Sequence, residues 1–288
     1  METFVVGTLS AAATAAGFYL LIDAVKVRGE NKANPFALFL VSTIEEDATE
    51  EIAMGKKLVE MLMKGNYLFT LEAVVPHVGD RVHFYVAVPR KASISVEKKL
   101  KHIFGRFAVE PVHDDHIVLY PHGVSLAASL VQKESAAIPV PLYEEIGADI
   151  FKDVLAALRE ISAIGEGAAV QFVARPMDSR KFRAVAESKK LPHCAHVKLN
   201  GPLLEVNARV VVSAGSEFRA RDVLENILAS FEKFRGQGRN ALKRAVPRSS
   251  RPLVLQFLDR TFDSRQSLIL SVAECASLFH VADIRERV

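Results

Sequence analysis

The chain has 288 residues, half of them hydrophobic, enough apolar side chain to bury one large core or two of ordinary size. Its formal net charge is only +3, which excludes a polybasic nucleic-acid binder in the bulk sense and leaves basic surface as a local matter. Cys194 and Cys275 lie far apart with no Cys-x-x-Cys spacing, so the sequence encodes neither a disulfide framework nor a paired-cysteine metal site, as fits a reducing compartment.

In chain order, Phe4 to Ile22 is the first informative stretch: it holds no charged residue and is bracketed by Glu2 and Asp23. As a helix rising about 1.5 Å per residue it would reach roughly 28 Å, close to the ~30 Å hydrocarbon core of a bilayer. Lys26, Arg28 and Lys32 follow it, and that bias favours a retained single-pass anchor with the body of the protein on the cytoplasmic side. A cleaved signal peptide, which would want a basic start, and a buried N-terminal helix are the competing readings. Gly7, Ala11 and Ala15 make a small-residue stripe against which another spanning helix could pack.

From Pro35 the pattern alternates. Phe36 to Ile44 reads as a strand, and Glu45 to Lys64 as a helix with Ile52, Leu58, Val59, Leu62 and Met63 inward, stopped by Gly65-Asn66. Tyr67 to Pro76 and Arg81 to Pro89 read as a hairpin around His77-Val78-Gly79-Asp80. A helix over Ser93 to Phe104 would turn Ile94, Leu100 and Ile103 inward, and Phe107 to Val112 closes a β-α-β-β-α-β order.

The second half repeats the plan more loosely. Val124 to Ala137 reads as a connection and Ile138 to Pro141 as a short strand. Tyr143 to Ile164 reads as a helix with Ile146, Ile150, Val154, Leu155, Leu158 and Ile161 on one face. Ala168 to Pro176 and Val206 to Ser213 are the expected strands, separated by a polar, partly ordered excursion over Met177 to Gly201. Arg219 to Phe234 reads as a helix with Val223, Leu224, Ile227, Leu228 and Phe231 inward. Leu253 to Leu258 then reads as a strand and Leu268 to Phe279 as a final helix.

The fold class expected is α+β: two tandem ferredoxin-like (βαββαβ) units with antiparallel sheets, after an N-terminal transmembrane helix. The expected division is an anchor and basic flank over 1–30, units over 31–123 and 138–250, a linker over 124–137, and a strand-helix extension over 251–288.

Three segments carry a family resemblance. They are His83 to Pro89 (His-Phe-Tyr-Val-Ala-Val-Pro), Gln171 to Pro176 (Gln-Phe-Val-Ala-Arg-Pro), and the ending Leu268 to His280, which includes Glu274, Ala276, Leu278 and His280. Together they resemble the N-terminal, pre-motor region of type IV secretion ATPases of the conjugative DNA-transfer class, over most of Pro35 to Ala282. In that family an E-L-A-x-L-x-H-x-P element leads toward the nucleotide-binding core; here Cys275 stands for the usual Leu and Ala282 for the usual Pro. The resemblance implies a docking role, with a secretion ATPase motor or other secretion-channel subunits as partners and oligomerisation in the assembly. The family's motor would follow His280, whereas this chain ends at Val288.

Chemistry is sparse. A phosphate-binding G-x-x-x-x-G-K-[ST] loop does not occur; Gly55-Lys56-Lys57 and Gly236-Gln237-Gly238-Arg239 are the nearest fragments, so no ATPase activity and no cofactor are expected of the chain. Leu253 to Asp259 has the look of an acidic-ended apolar strand, a common pattern. His193, Cys194 and His196, and His113, Asp114 and His116, lack persuasive ligand spacing and read as solvated loop residues, so no metal is expected. No Gly-x-Ser-x-Gly elbow occurs. The one local charge feature runs from Arg219 to Arg251, where Arg235, Arg239, Lys243, Arg244 and Arg248 are candidates for binding a polyanion, DNA phosphates or anionic lipid headgroups. Aromatics are not interleaved there as base stacking requires. The expectation is therefore a noncatalytic, membrane-tethered docking module, with a ferredoxin-like nucleic-acid-binding module as the alternative.

Overall fold

The computed structural model describes residues 35–284, except 80, 114, 116, 117, 162, 163 and 188–190. The strands, in chain order, are β1 (Phe36–Val41), β2 (Phe69–Val75), β3 (His83–Pro89), β4 (Val109–Val112), β5 (Val124–Gln132), β6 (Gly167–Pro176), β7 (Leu203–Ala214), β8 (Leu242–Ala245) and β9 (Leu268–Ser271). The helices are α1 (Ala48–Met63), α2 (Ser93–Phe104), α3 (Tyr143–Ile146), α4 (Ile150–Arg159), α5 (Ser179–Glu187), α6 (His193–Asn200), α7 (Glu217–Phe231), α8 (Arg251–Leu258) and α9 (Val272–Leu278). Among the described residues no helix is long and apolar enough to cross a membrane, and the expected anchor over 4–22 lies outside them.

All nine strands belong to one antiparallel sheet in the order β4-β1-β3-β2-β6-β7-β5-β8, with β9 on the early part of β7. One continuous sheet therefore replaces the separate sheets expected. The first half threads strand, helix, strand, strand, helix, strand. The second follows the same order with a broken first helix (α3, α4) and with α5 and α6 inserted between β6 and β7, and each half places its strands in the order fourth, first, third, second. The halves join through their second strands, β2 and β6, paired from Phe69↔Ala174 to Val75↔Ala168. That seam is apolar on one face, where Phe69, Leu71, Ala73, Val170 and Phe172 enter the main core.

Helical period sets what covers this face. Ile52, Leu58, Val59 and Leu62 of α1 are buried as their spacing predicts, and so are Val223, Leu224, Ile227, Leu228 and Phe231 of α7. In α2 the inward residues are Val96 and Leu100, while Ile94 is exposed, two positions and about 200° of helix rotation from Val96. Asp47 caps α1 by accepting from the Thr49 and Glu50 amides.

Five expectations fail for identifiable reasons. Val124 to Gln132 is no connection but the first strand of the second half, between β7 and β8. Ile138 to Pro141 forms no strand: Pro139 and Pro141 have no amide hydrogen for a ladder, and the Val140 amide donates to Glu274 Oε1 instead. The expected Tyr143 to Ile164 helix breaks at Gly147, whose φ of 71° is left-handed, and restarts at the Asp149 cap. Leu253 to Leu258 is helical, with Pro252 in its first turn, which removes any resemblance to an acidic-ended nucleotide-site strand. In the expected final helix, Leu268 to Ser271 is instead β9. A Ser271–Glu274 capping box starts α9 after it. The excursion over Met177 to Gly201 contains α5 and α6, and Ala195 and Leu199 build a satellite core with Ala137 and Leu203.

Candidate functional site

Among the described residues, buried titratable side chains with charged or hydrogen-bonded partners gather in three places. On the sheet face opposite the main core, register aligns Glu72, Gln171, Arg209 and Ser129 across β2, β6, β7 and β5. The α8 helix and the turn after it close over this row. Gln171 Nε2 donates to Glu72 Oε1 and to the Phe257 carbonyl, and Arg209 donates to Gln171 Oε1, Asn207 Oδ1 and the carbonyls of Gln256 and Thr261. Arg260, at a left-handed φ of 50°, forks onto Glu72 at 2.8 and 3.1 Å and onto Asp115 at 2.7 and 2.8 Å. Burial lowers Arg209 to about 10 against the opposing pull of Asp263. Burial also works against Arg260, yet Glu72 and Asp115 more than offset it and hold the guanidinium above its ordinary value. These groups satisfy one another and bind the α8 cap to the sheet.

The second place is the clasp at α9. Lys198 Nζ donates to Glu274 Oε1 at 3.0 Å and to the Ile269 carbonyl at 2.6 Å, with both charged side chains almost wholly buried. Glu274 also accepts from the Val140 amide through Oε1 and the Ser271 amide through Oε2. Burial pushes Lys198 below its ordinary value, and Glu274 only partly opposes this. Cys275, next in sequence, is fully buried, and burial with the neighbouring Glu274 pushes its thiol up to about 12.

The third place joins the halves on the helical side. Glu51 sits in the first turns of α1, Asp149 caps α4, and His280 follows α9; one ligand-type atom from each lies within 4.8 Å of the other two. Each side chain is held by one backbone hydrogen bond. Glu51 Oε1 accepts from the Asp283 amide at 2.5 Å and Asp149 Oδ1 from the Phe151 amide at 3.1 Å. His280 Nδ1 donates to the Ala276 carbonyl at 3.0 Å, since a carbonyl can only accept. That leaves His280 Nε2 facing Asp149 Oδ2 at 3.2 Å. Glu51 Oε2 is buried without a hydrogen-bond donor; Lys152 Nζ stands 2.9 Å away, within ion-pair range but outside hydrogen-bond geometry. Burial works to raise Asp149, but the hydrogen bond and charge of His280, with Lys152, hold it below the usual carboxylate range. Gly55 allows the approach of His280 to α1, because a Cβ there would meet His280 Cβ at 2.9 Å.

The five candidate polyanion ligands differ in exposure and in pairing. Lys243 and Arg244 are adjacent on β8 and so point to opposite faces. Arg244 pairs with Glu225 and Glu232, and Arg239 with Glu145. Arg219, Arg221 and Lys233 are likewise engaged, by Glu166 and Asp222, Glu217 and Asp153. Arg235, Lys243, Arg248 and Arg251 are exposed and make no ion pair among the described residues. His193 and His196 are exposed on α6, a helix rather than the expected loop, and His113 is exposed after β4; Asp114 and His116 lie outside the described residues.

Sequence reasoning did not single out Glu51, Glu72, Asp149, Lys198, Arg209 or Arg260, and it named Glu274 and His280 only as members of the resembling ending. Glu72, Gln171 and Arg209 were detectable as polar interruptions in apolar strands, Asp149 as a cap before Ile150, and Glu274 as the fourth residue of a capping box. Glu51 and His280 carry no such local signal. No protein-family model and no curated protein matches the chain.

Proposed function

We propose that the chain is a noncatalytic docking and assembly module of a conjugative, type IV secretion ATPase. It is built from two tandem ferredoxin-like units and held at the cytoplasmic face of the membrane through residues 4–22. The strand order fourth, first, third, second in each half supports the tandem reading. The single observation that carries the docking role is the condition of the ending that resembles the family's pre-motor element. Glu274 is spent on Lys198 and two amides, and His280 on Ala276 and Asp149, so its ionisable groups clasp the C-terminal extension to the second half. A clasp of this kind makes a rigid platform for a protein partner, and its polar groups are committed to structure.

Separately expressed motor from a conjugative secretion system supplies the test. Co-elution with the chain, together with a changed ATP turnover of the motor, is the expected result. ATP hydrolysis that follows the isolated chain through successive columns, or a motor that neither co-elutes nor responds, would refute the reading.

Exposed Arg235, Lys243, Arg248 and Arg251 favour a second reading, a nucleic-acid-binding module. Four phosphate contacts would make log affinity fall with log salt at a slope of roughly −3 to −4. Charge reversal at Arg235 and Lys243 should then flatten that slope, and salt-independent or undetectable DNA binding would dismiss it.

A further inference from the structure

We propose that Glu51, Asp149 and His280 bind a divalent transition-metal ion of the zinc type, which closes the segment after α9 onto both halves of the fold. The inference goes beyond the docking role and does not depend on it.

Three features of the cluster point to a metal. The first is the division of labour within each side chain: one atom is fixed by the backbone, through the Asp283 amide, the Phe151 amide or the Ala276 carbonyl, and the other is left to the cluster. Metal ligands are oriented in this way, a histidine giving its second N–H to a backbone carbonyl so that its remaining nitrogen faces the ion. The second is spacing. Bonds of about 2.0–2.2 Å in a tetrahedral site put neighbouring ligand atoms roughly 3.3 Å apart, and His280 Nε2 stands 3.2 Å from Asp149 Oδ2. With all three ligand atoms inside 4.8 Å, the Glu51 carboxylate has to close by no more than roughly 1.5 Å to complete the set. The third is the Glu51 Oε2 atom, wholly buried and met only by the half-exposed Lys152 ammonium at 2.9 Å, outside hydrogen-bond geometry.

Charge balances in either state. Without metal, the two carboxylates are matched by the Lys152 ammonium and by the imidazolium that His280 must be if it donates from both nitrogens. One dication replaces both. Neutral His280 becomes a ligand, and Lys152, whose side chain is 40 % exposed, swings to solvent and opens the approach. An imidazole nitrogen beside two carboxylate oxygens suits zinc rather than magnesium, and three protein ligands leave a fourth position for water.

The test uses the full chain, stripped with a chelator and titrated with ZnCl₂ against a chromophoric competitor, with Co²⁺ as the spectroscopic substitute. One equivalent of Zn²⁺ should bind and raise the unfolding temperature, Co²⁺ should show intense tetrahedral d–d bands, and Mg²⁺ should do neither. Asp149→Asn keeps a capping oxygen for the Phe151 amide and should weaken Zn²⁺ roughly 100-fold or more. Lys152→Met removes the competing cation and should tighten binding, whereas a site that holds only ion pairs would lose stability and still bind nothing. His193→Ala/His196→Ala, on exposed α6, should bind Zn²⁺ as before. The proposal is overturned if Zn²⁺ binding disappears with those two surface histidines, or if neither the wild-type chain nor Lys152→Met binds an equivalent.

Discussion

Replacing Lys198 by Met removes an ammonium while keeping an unbranched side chain of similar length, and the structure specifies what is left behind. Glu274, 1 % exposed in its side chain, would stay buried with only the Val140 and Ser271 amides as donors. The Ile269 carbonyl would still accept from Gln132 Nε2. Breaking a buried pair from one side costs about 3–5 kcal/mol, and the two remaining amides place this site toward the lower end, about 3–4 kcal/mol. For a unit of this size that is roughly 6–15 °C in Tm. Glu274→Gln should cost a similar amount by stranding the ammonium. In the double variant neither charge remains, so the loss should shrink to about 1–3 kcal/mol, the cost of one unsatisfied amide. Urea unfolding of all four chains, compared at equal m-values, measures the cycle. A Lys198→Met chain within about 1 kcal/mol of wild type, or losses that simply add, would show that the pair does not hold the clasp as argued.

Gly55→Ala should destabilise the protein although alanine is favoured in a helix by about 1 kcal/mol, because the new methyl meets the His280 Cβ at 2.9 Å; a raised Tm would show that α1 and His280 separate easily. Asp47 is held below its ordinary value by the Glu50 and Thr49 amides. A carboxylate with a lowered folded pKa contributes stability that is complete above the unfolded range near pH 4 and is lost as pH falls through the folded value. Asp47→Ala should therefore lower stability at neutral pH and flatten its decline in acid, and parallel pH profiles for the two chains would contradict the cap. With a disulfide reagent at pH 8, the native chain should expose one reactive thiol, Cys194, while Cys275 reacts only after denaturation; two thiols titrating natively would mean that α9 is not packed as described.

How much of this was legible in sequence follows from the range of the forces involved. Periodicity identified β1, β3, α2 and the inward faces of α1 and α7, because the burial of an amphipathic helix or strand repeats within a few residues. Capping and turn chemistry are equally local: Gly147 with Asp149, and Ser271 with Glu274, carry the breaks that divide the expected helices. The failures lie where a distant partner decides. Val124 to Gln132 has the Ala- and Ser-rich look of a connection, and it is a strand because β7 and β8 supply its hydrogen bonds. The Val140 amide goes to Glu274, 134 residues away, and that choice keeps Ile138 to Pro141 out of the sheet.

Composition and pattern alone thus determined an α+β chain with two helix-strand-strand-helix halves, no phosphate loop and a local basic run. Only the tertiary structure decided that the halves share one sheet through β2 and β6, since strand pairing depends on edges that meet after folding. It also decided the fate of the charges. Within the basic run Arg239 and Arg244 are paired with Glu145, Glu225 and Glu232, while Glu51, Asp149 and His280, 98 and 131 residues apart along the chain, converge at one point. Electrostatic pairing acts through a few ångströms of space, and the distance along the chain carries no record of it.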